Sequence, residues 1–171
     1  MRRTVEDRKL IASVHSVMNQ CALFTEMVSE VQYRDNSHLP FKSSIGEHCR
    51  HVIEIFEAAF RALDSDIDFV DFSYRERKVI LSEDPVYAKQ FLLILSSKLE
   101  NLSTTDLSRT IIVKDNLGQG ILCQDSTVGS CLMFACNHAI HHFAQLKTMA
   151  FNLGISLDDN KDFGYNPTTP K

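Results

Sequence analysis

Asn137-His138-Ala139-Ile140-His141-His142-Phe143-Ala144-Gln145-Leu146 lies inside an otherwise apolar run from Ser126 to Leu157. His138 and His142 are four residues apart. On a helix both rings project from one face, about one turn apart, and that spacing lets two imidazoles hold one metal ion. No Asp or Glu occurs from Thr127 to Leu157. Three histidines among five residues of a carboxylate-free helix is an uncommon composition, because buried imidazoles need partners for their ring nitrogens. Surface or packed histidines are the usual reading for a lone His and the weaker one for this cluster. The stretch therefore reads as a long final helix, capped by Asp125, Ser126 or Thr127 and ending near Gly154, that carries half a metal site.

The remainder of the composition suits a helical host for such a site. The chain has 171 residues, 44% hydrophobic and 23% charged, with six Gly and four Pro. It reads as one domain spanning 1–171, large enough for a real core. A net charge of −4 without any Lys/Arg run argues against nucleic acid as a partner. No apolar run reaches the roughly 18 residues of a membrane span, and the charged first ten residues lack a signal-peptide pattern. A cytoplasmic location is the default expectation. The five cysteines, Cys21, Cys49, Cys123, Cys131 and Cys136, are odd in number and form no CxxC pair, so neither a disulfide framework nor a Cys-rich zinc site is expected.

Working back along the chain, apolar residues from Leu10 to Val31 recur at helical spacing and predict a first helix over about Thr4 to Val31. Gln32 to Lys42 has a loop composition, with His38 expected to be exposed there. Ser44 and Glu47 form a capping-box pattern ahead of a second helix striped by Ile45, Cys49, Val52, Phe56 and Leu63. Asp71 to Arg77 is a connector with aromatic anchors. Pro85 opens a third helix that runs to about Leu102. Thr110 to Lys114 and Ile121 to Cys123 flank a Gly-containing turn and predict a small hairpin. Asp158 to Lys171 reads as an irregular tail. Four amphipathic helices with a β-hairpin between the third and fourth predict an all-α protein, a four-helix bundle.

A third ligand must come from another helix, and the second helix offers His48 and His51. At ~100° per residue both lie on one flank of its stripe, His48 roughly 60° and His51 roughly 120° off centre, so periodicity slightly favours His48. Three imidazoles plus a solvent position is the open, reactive arrangement for zinc. A di-iron carboxylate bundle needs Glu-x-x-His motifs, and the last helix has no carboxylate. A zincin needs His-Glu-x-x-His, whereas Ala139, Ile140 and His141 stand between His138 and His142. Nothing specific supports haem.

Ser44-Ile45-Gly46-Glu47-His48-Cys49-Arg50-His51-Val52, followed far downstream by Asn137 to Leu146, resembles the DinB-like (damage-inducible) metal-binding four-helix bundles. The resemblance covers most of the chain, and Asp71 to Arg77 is similar to the connector of one subgroup. It implies one divalent metal in a cleft on His51, His138 and His142. Zn is the first choice, with Ni, Fe or Mn also compatible. His48, His141 and Gln145 are then expected beside the ligands. It further implies a homodimer and a metal-dependent enzyme, a thiol S-transferase or a hydrolase-like enzyme acting on a small-molecule substrate, with a small thiol as cofactor and with water or thiolate in the open position. The alternative is a non-catalytic metal-binding bundle acting by dimerisation or partner binding, its cleft plugged by the tail. Arg50, Arg75 and Arg77 are candidates for receiving an anionic substrate, although surface ion pairing is their commoner role.

Overall fold

In a computed structural model, the structure describes residues 4–37, 42–74, 76–100 and 107–168. The order is α1 (Val5–Glu26), α2 (Glu30–Arg34), α3 (Ile45–Arg61), β1 (Phe69–Asp71), α4 (Ile80–Glu83), α5 (Pro85–Glu100), β2 (Thr110–Asn116), β3 (Ile121–Thr127) and α6 (Val128–Asn152). The four long helices α1, α3, α5 and α6 form a four-helix bundle. Both α1 and α3 pack against α5 and α6. Val14 and Phe24 of α1, Ile53 and Phe56 of α3, Leu92 and Leu99 of α5, and Leu132 and Phe143 of α6 meet in the core. Each such burial contributes about 1.5–3 kcal/mol, so the amphipathic stripes, rather than helix propensity, hold the bundle together.

The caps fix where the site-bearing helices begin. Ser44 Oγ accepts the Glu47 N–H at 3.1 Å, while Glu47 Oε2 accepts the Ser44 N–H at 3.0 Å. Thr127 Oγ1 accepts from Ser130 N at 3.1 Å and opens α6. At the far end of α3, the Arg109 guanidinium donates to the carbonyls of Ala62, Asp64 and Ile67 at 2.7–2.8 Å. That contact satisfies carbonyls that a helix end leaves unpaired and ties α3 to the strand region.

Three expectations need correction. The first helix stops at Glu26 rather than Val31, because Ser29 and Gln32 form their own capping box and start α2. The hairpin has a third strand: β1 pairs parallel to β2, Val70 opposite Val113, giving the order β1-β2-β3. The stretch around Asp71, expected to be only a connector, thus supplies a strand. The segment after Asp158 lacks long elements but is anchored. A 3-10 turn at Asp158–Asn160 leads to Phe163, fully buried and stacked between Phe24 and Phe143 at centroid distances of 4.4 and 4.6 Å. The expectations for His38, for Arg75 and for the end of the third helix beyond Glu100 lie outside the described residues. No described helix is long and apolar enough to cross a membrane.

Candidate metal centre

The packing of α3 against α6 brings three imidazoles together. His51 Nε2 lies 2.7 Å from His138 Nε2, and His138 Nε2 lies 3.1 Å from His142 Nε2. The three ring centroids are mutually 4.7 Å apart, with one nitrogen of each ring within 4.8 Å of the other two. All three rings are half-buried at the bundle edge. Ala135 and Ala139 are buried on α6 beside them.

The donor set fits a divalent ion. A neutral imidazole offers one donor and one acceptor nitrogen. Nitrogens of three rings aimed at one point cannot all be satisfied by one another, whereas a cation among them accepts every lone pair. Tetrahedral zinc ligands, each about 2.0–2.1 Å from the ion, stand about 3.3 Å apart, near the separations found. No described carboxylate or thiol joins the group.

His48 takes a different position. Its Nδ1 lies 3.1 Å from His142 Nδ1, on the side of the His142 ring away from the triad. With His142 Nε2 bound to a metal, its Nδ1 would carry the ring proton and would donate to His48 Nδ1. Burial pushes the His48 pKa below its usual value, Glu47 opposes this, and His141 lowers it further. A neutral His48 is the form that can accept. Such a contact fixes the tautomer and orientation of a metal-ligating histidine. His141 is exposed and hydrogen-bonds Gln145 at 3.0 Å. Its ring stands edge-on to His142, 5.4 Å away, so this pair flanks the site from the solvent side.

A cleft of about 260 Å³ opens beside His48, His51 and His142 and is lined further by Glu47, Arg50, Glu54 and Arg77. Arg50 donates to Ser82 Oγ at 3.0 Å, and its Nε stands 3.8 Å from the buried Glu54 carboxylate. That Nε is itself buried without a hydrogen-bond partner. Glu54 in turn accepts the Lys78 N–H at 3.1 Å. No described residue of the tail lines the cleft.

Two contributors escaped the sequence reading. Phe134 packs its ring 5.8 Å from that of His138 and 4.7 Å from that of Phe72, and so stands between the triad and the sheet. Its signal was available, since Phe134 precedes His138 by four residues on the same helix face. Glu54 had none beyond its position three residues after His51.

No family model matches the sequence. A curated relative, FK506-binding protein 5 of Rhizopus delemar, is 24% identical over 118 residues, and the chain spans about 30% of its length. Two solved structures from Bacillus subtilis share the fold. The DinB-like protein YjoA superposes with a TM-score of 0.60 at 20% identity, covering 86% of this chain and 93% of the other. YfiT, described as a probable metal-dependent hydrolase with an unusual four-helix bundle topology, gives 0.64 at 16% identity, covering 90% and 91%. The bundle described above is thus a DinB-like four-helix bundle.

Proposed function

We propose that this protein is a metal-dependent enzyme of the DinB-like family. It would hold one divalent ion, zinc first, on His51, His138 and His142, and transfer a group to or from a small thiol. The observation that carries the reading is the convergence of three ring nitrogens from two helices within 4.8 Å, with a cleft beside them. The probable hydrolase activity of YfiT suggests water as the competing nucleophile at the same centre. A single-domain, cytoplasmic homodimer completes the proposal.

A divalent ion on three imidazoles supplies Lewis-acid activation of a thiol or of water. The chain's own residues would do the rest. His48 holds the His142 ring in one orientation through Nδ1. Phe134 packs against the sheet side of His138 and limits the motion of that ring. Arg50 and Arg77 place positive charge in the cleft, where an anionic substrate group would be received. The described residues of the tail, up to Thr168, stay out of the cleft, which supports catalysis over the plugged, non-catalytic alternative.

The test is elemental analysis of untagged protein, wild type and His142→Ala, after chelation and re-addition of zinc. About one equivalent in the wild type, lost in the variant, is expected. A thiol-transfer screen with electrophilic substrates, run beside an ester-hydrolysis screen, then separates the two nucleophiles. A wild type that retains no metal after re-addition overturns the proposal.

A further inference from the structure

A second cavity, of about 270 Å³, lies between the inner face of the sheet and the first turns of α6. Phe72, Val113, Leu117, Leu122, Cys131 and Phe134 form most of its wall. Leu117, Leu122 and Phe134 are 74%, 42% and 38% exposed. Large apolar side chains lining a concavity without burying one another are the usual composition of a ligand pocket.

The cavity and the triad share a wall. Cys131, Phe134, His138 and His142 follow one another at intervals of three, four and four residues, so they form a single stripe along α6. Phe134 therefore sits about one helical turn, roughly 6 Å along the axis, from His138. Its ring lines the cavity on one side and packs against His138 on the other. The polar cleft with Arg50 and Arg77 opens on α3, beside His48 and His51.

We propose that the cavity under the hairpin is the subsite for an uncharged apolar arm of the substrate, of aryl or short branched-alkyl size, whose reacting sulfur or carbon lies at the histidine triad. The inference rests on the metal-dependent reading above and names the substrate class of that site. The volume suits it: an apolar cavity of about 150 Å³ already accommodates a benzene ring, and 270 Å³ leaves room for a linker of a few atoms. A linker of that length spans the single turn from Phe134 to His138. The cavity is lined mainly by aromatic and aliphatic carbon, with Asp115, Gln124, Ser126 and Ser130 as its polar members; the apolar wall favours an uncharged arm, and the Asp115 carboxylate disfavours an anionic one.

Two titrations test this on full-length protein, with metal content measured on every sample. Ethylbenzene, bound without metal, probes the cavity alone. On zinc-loaded protein, 3-phenylpropane-1-thiol compared with 2-mercaptoethanol probes its continuity with the triad. The wild type should bind the aryl thiol at least tenfold more tightly than 2-mercaptoethanol, about 1.4 kcal/mol. Leu122→Gln, at an exposed position, and Val113→Phe, which fills the cavity, should each abolish ethylbenzene binding and the aryl preference. Both should keep one equivalent of zinc and the wild-type affinity for 2-mercaptoethanol. Equal affinity for the two thiols, or a preference that survives in both variants, overturns the proposal. If ethylbenzene binds the wild type alone while neither thiol binds, the cavity stands, its link to the triad falls, and the thiol reading falls with it.

Discussion

Gly46→Ala tests the geometry that sets α3 in place. A Cβ at this position would meet the Ser82 carbonyl oxygen at 2.1 Å, its carbon at 2.8 Å and Tyr33 Cε1 at 2.7 Å. Ordinary contact begins near 3.4 Å, so the carbonyl would have to retreat by about 1.3 Å. Neither neighbour is free to yield. Ser82 Oγ donates to Val79 O at 2.7 Å and accepts from Arg50 at 3.0 Å. Tyr33 is fully buried and donates to Leu81 O at 2.8 Å. Alanine gains at most about 1 kcal/mol over glycine in helix propensity. Overpacking costs about 1–3 kcal/mol or more, and a clash with backbone belongs at the upper end. The clash wins, by about 2 kcal/mol net, or roughly 4–8 °C in Tm for a chain of this size. Because His48 and His51 ride on the displaced turn, zinc affinity should fall severalfold as well. Urea denaturation followed by circular dichroism, with a zinc titration, measures both. A variant as stable as the wild type, with unchanged zinc affinity, would refute the reasoning.

Phe163→Ala should destabilise the fold by about 3–5 kcal/mol, since the ring is buried between Phe24 and Phe143; a loss under 1 kcal/mol in denaturant titration would mean that the tail does not anchor the bundle. Zinc at a thousandfold excess over its Kd should stabilise the wild type by about 4 kcal/mol and His138→Ala far less, a difference read directly from thermal melts with and without chelator. Among the cysteines only Cys123 is exposed, so one thiol should react quickly with a disulfide reagent at pH 8 and five after denaturation. Burial pushes the Cys131 thiol up to about 11 and the Cys136 thiol up to about 12. These two are held neutral in the native state, and their contribution to stability is complete below about pH 9, where unfolded thiols stay protonated. It is lost as pH rises through 11 to 12, so stability should decline over that window, and Cys136→Ala should flatten the decline measured by denaturant titration.

The helices were legible because their signals are local. Ser44 and Glu47 mark the start of α3, Pro85 marks that of α5, and the apolar stripes give the buried faces. The elements misjudged depend on distant partners. Phe69-Val70-Asp71 has too few residues to show alternation, and it becomes a strand because Val113 and its neighbours in β2 offer a free edge. The exception is the end of α1, where the signal was local: the apolar period from Leu10 to Val31 passes through Met27 without a break and masks the Ser29–Gln32 capping-box pattern, whose hydrogen bonds start a new helix. Phe163 sits in a polar segment and carries no periodic signal. Its burial follows from a slot between two rings more than a hundred residues apart in the chain.

The site shows the same division. Spacing alone placed His138 and His142 on one face, but the choice between His48 and His51 is tertiary. Both stand on the same flank of α3, three residues apart, and periodicity puts His48 nearer the stripe centre. The structure directs His51 Nε2 into the pair from α6 and His48 Nδ1 to the back of His142. Both histidines are therefore engaged with α6, at different nitrogens. This predicts different losses. His51→Ala removes a donor from the triad and should abolish stoichiometric zinc. His48→Ala leaves all three donors and removes only the acceptor that orients His142, so zinc should still bind, about 10–100-fold more weakly. His48→Gln, whose amide oxygen can still accept from His142 Nδ1, should recover part of that affinity. Equal losses in His48→Ala and His51→Ala, measured by competition with a chromogenic chelator, would mean that His48 is itself a ligand.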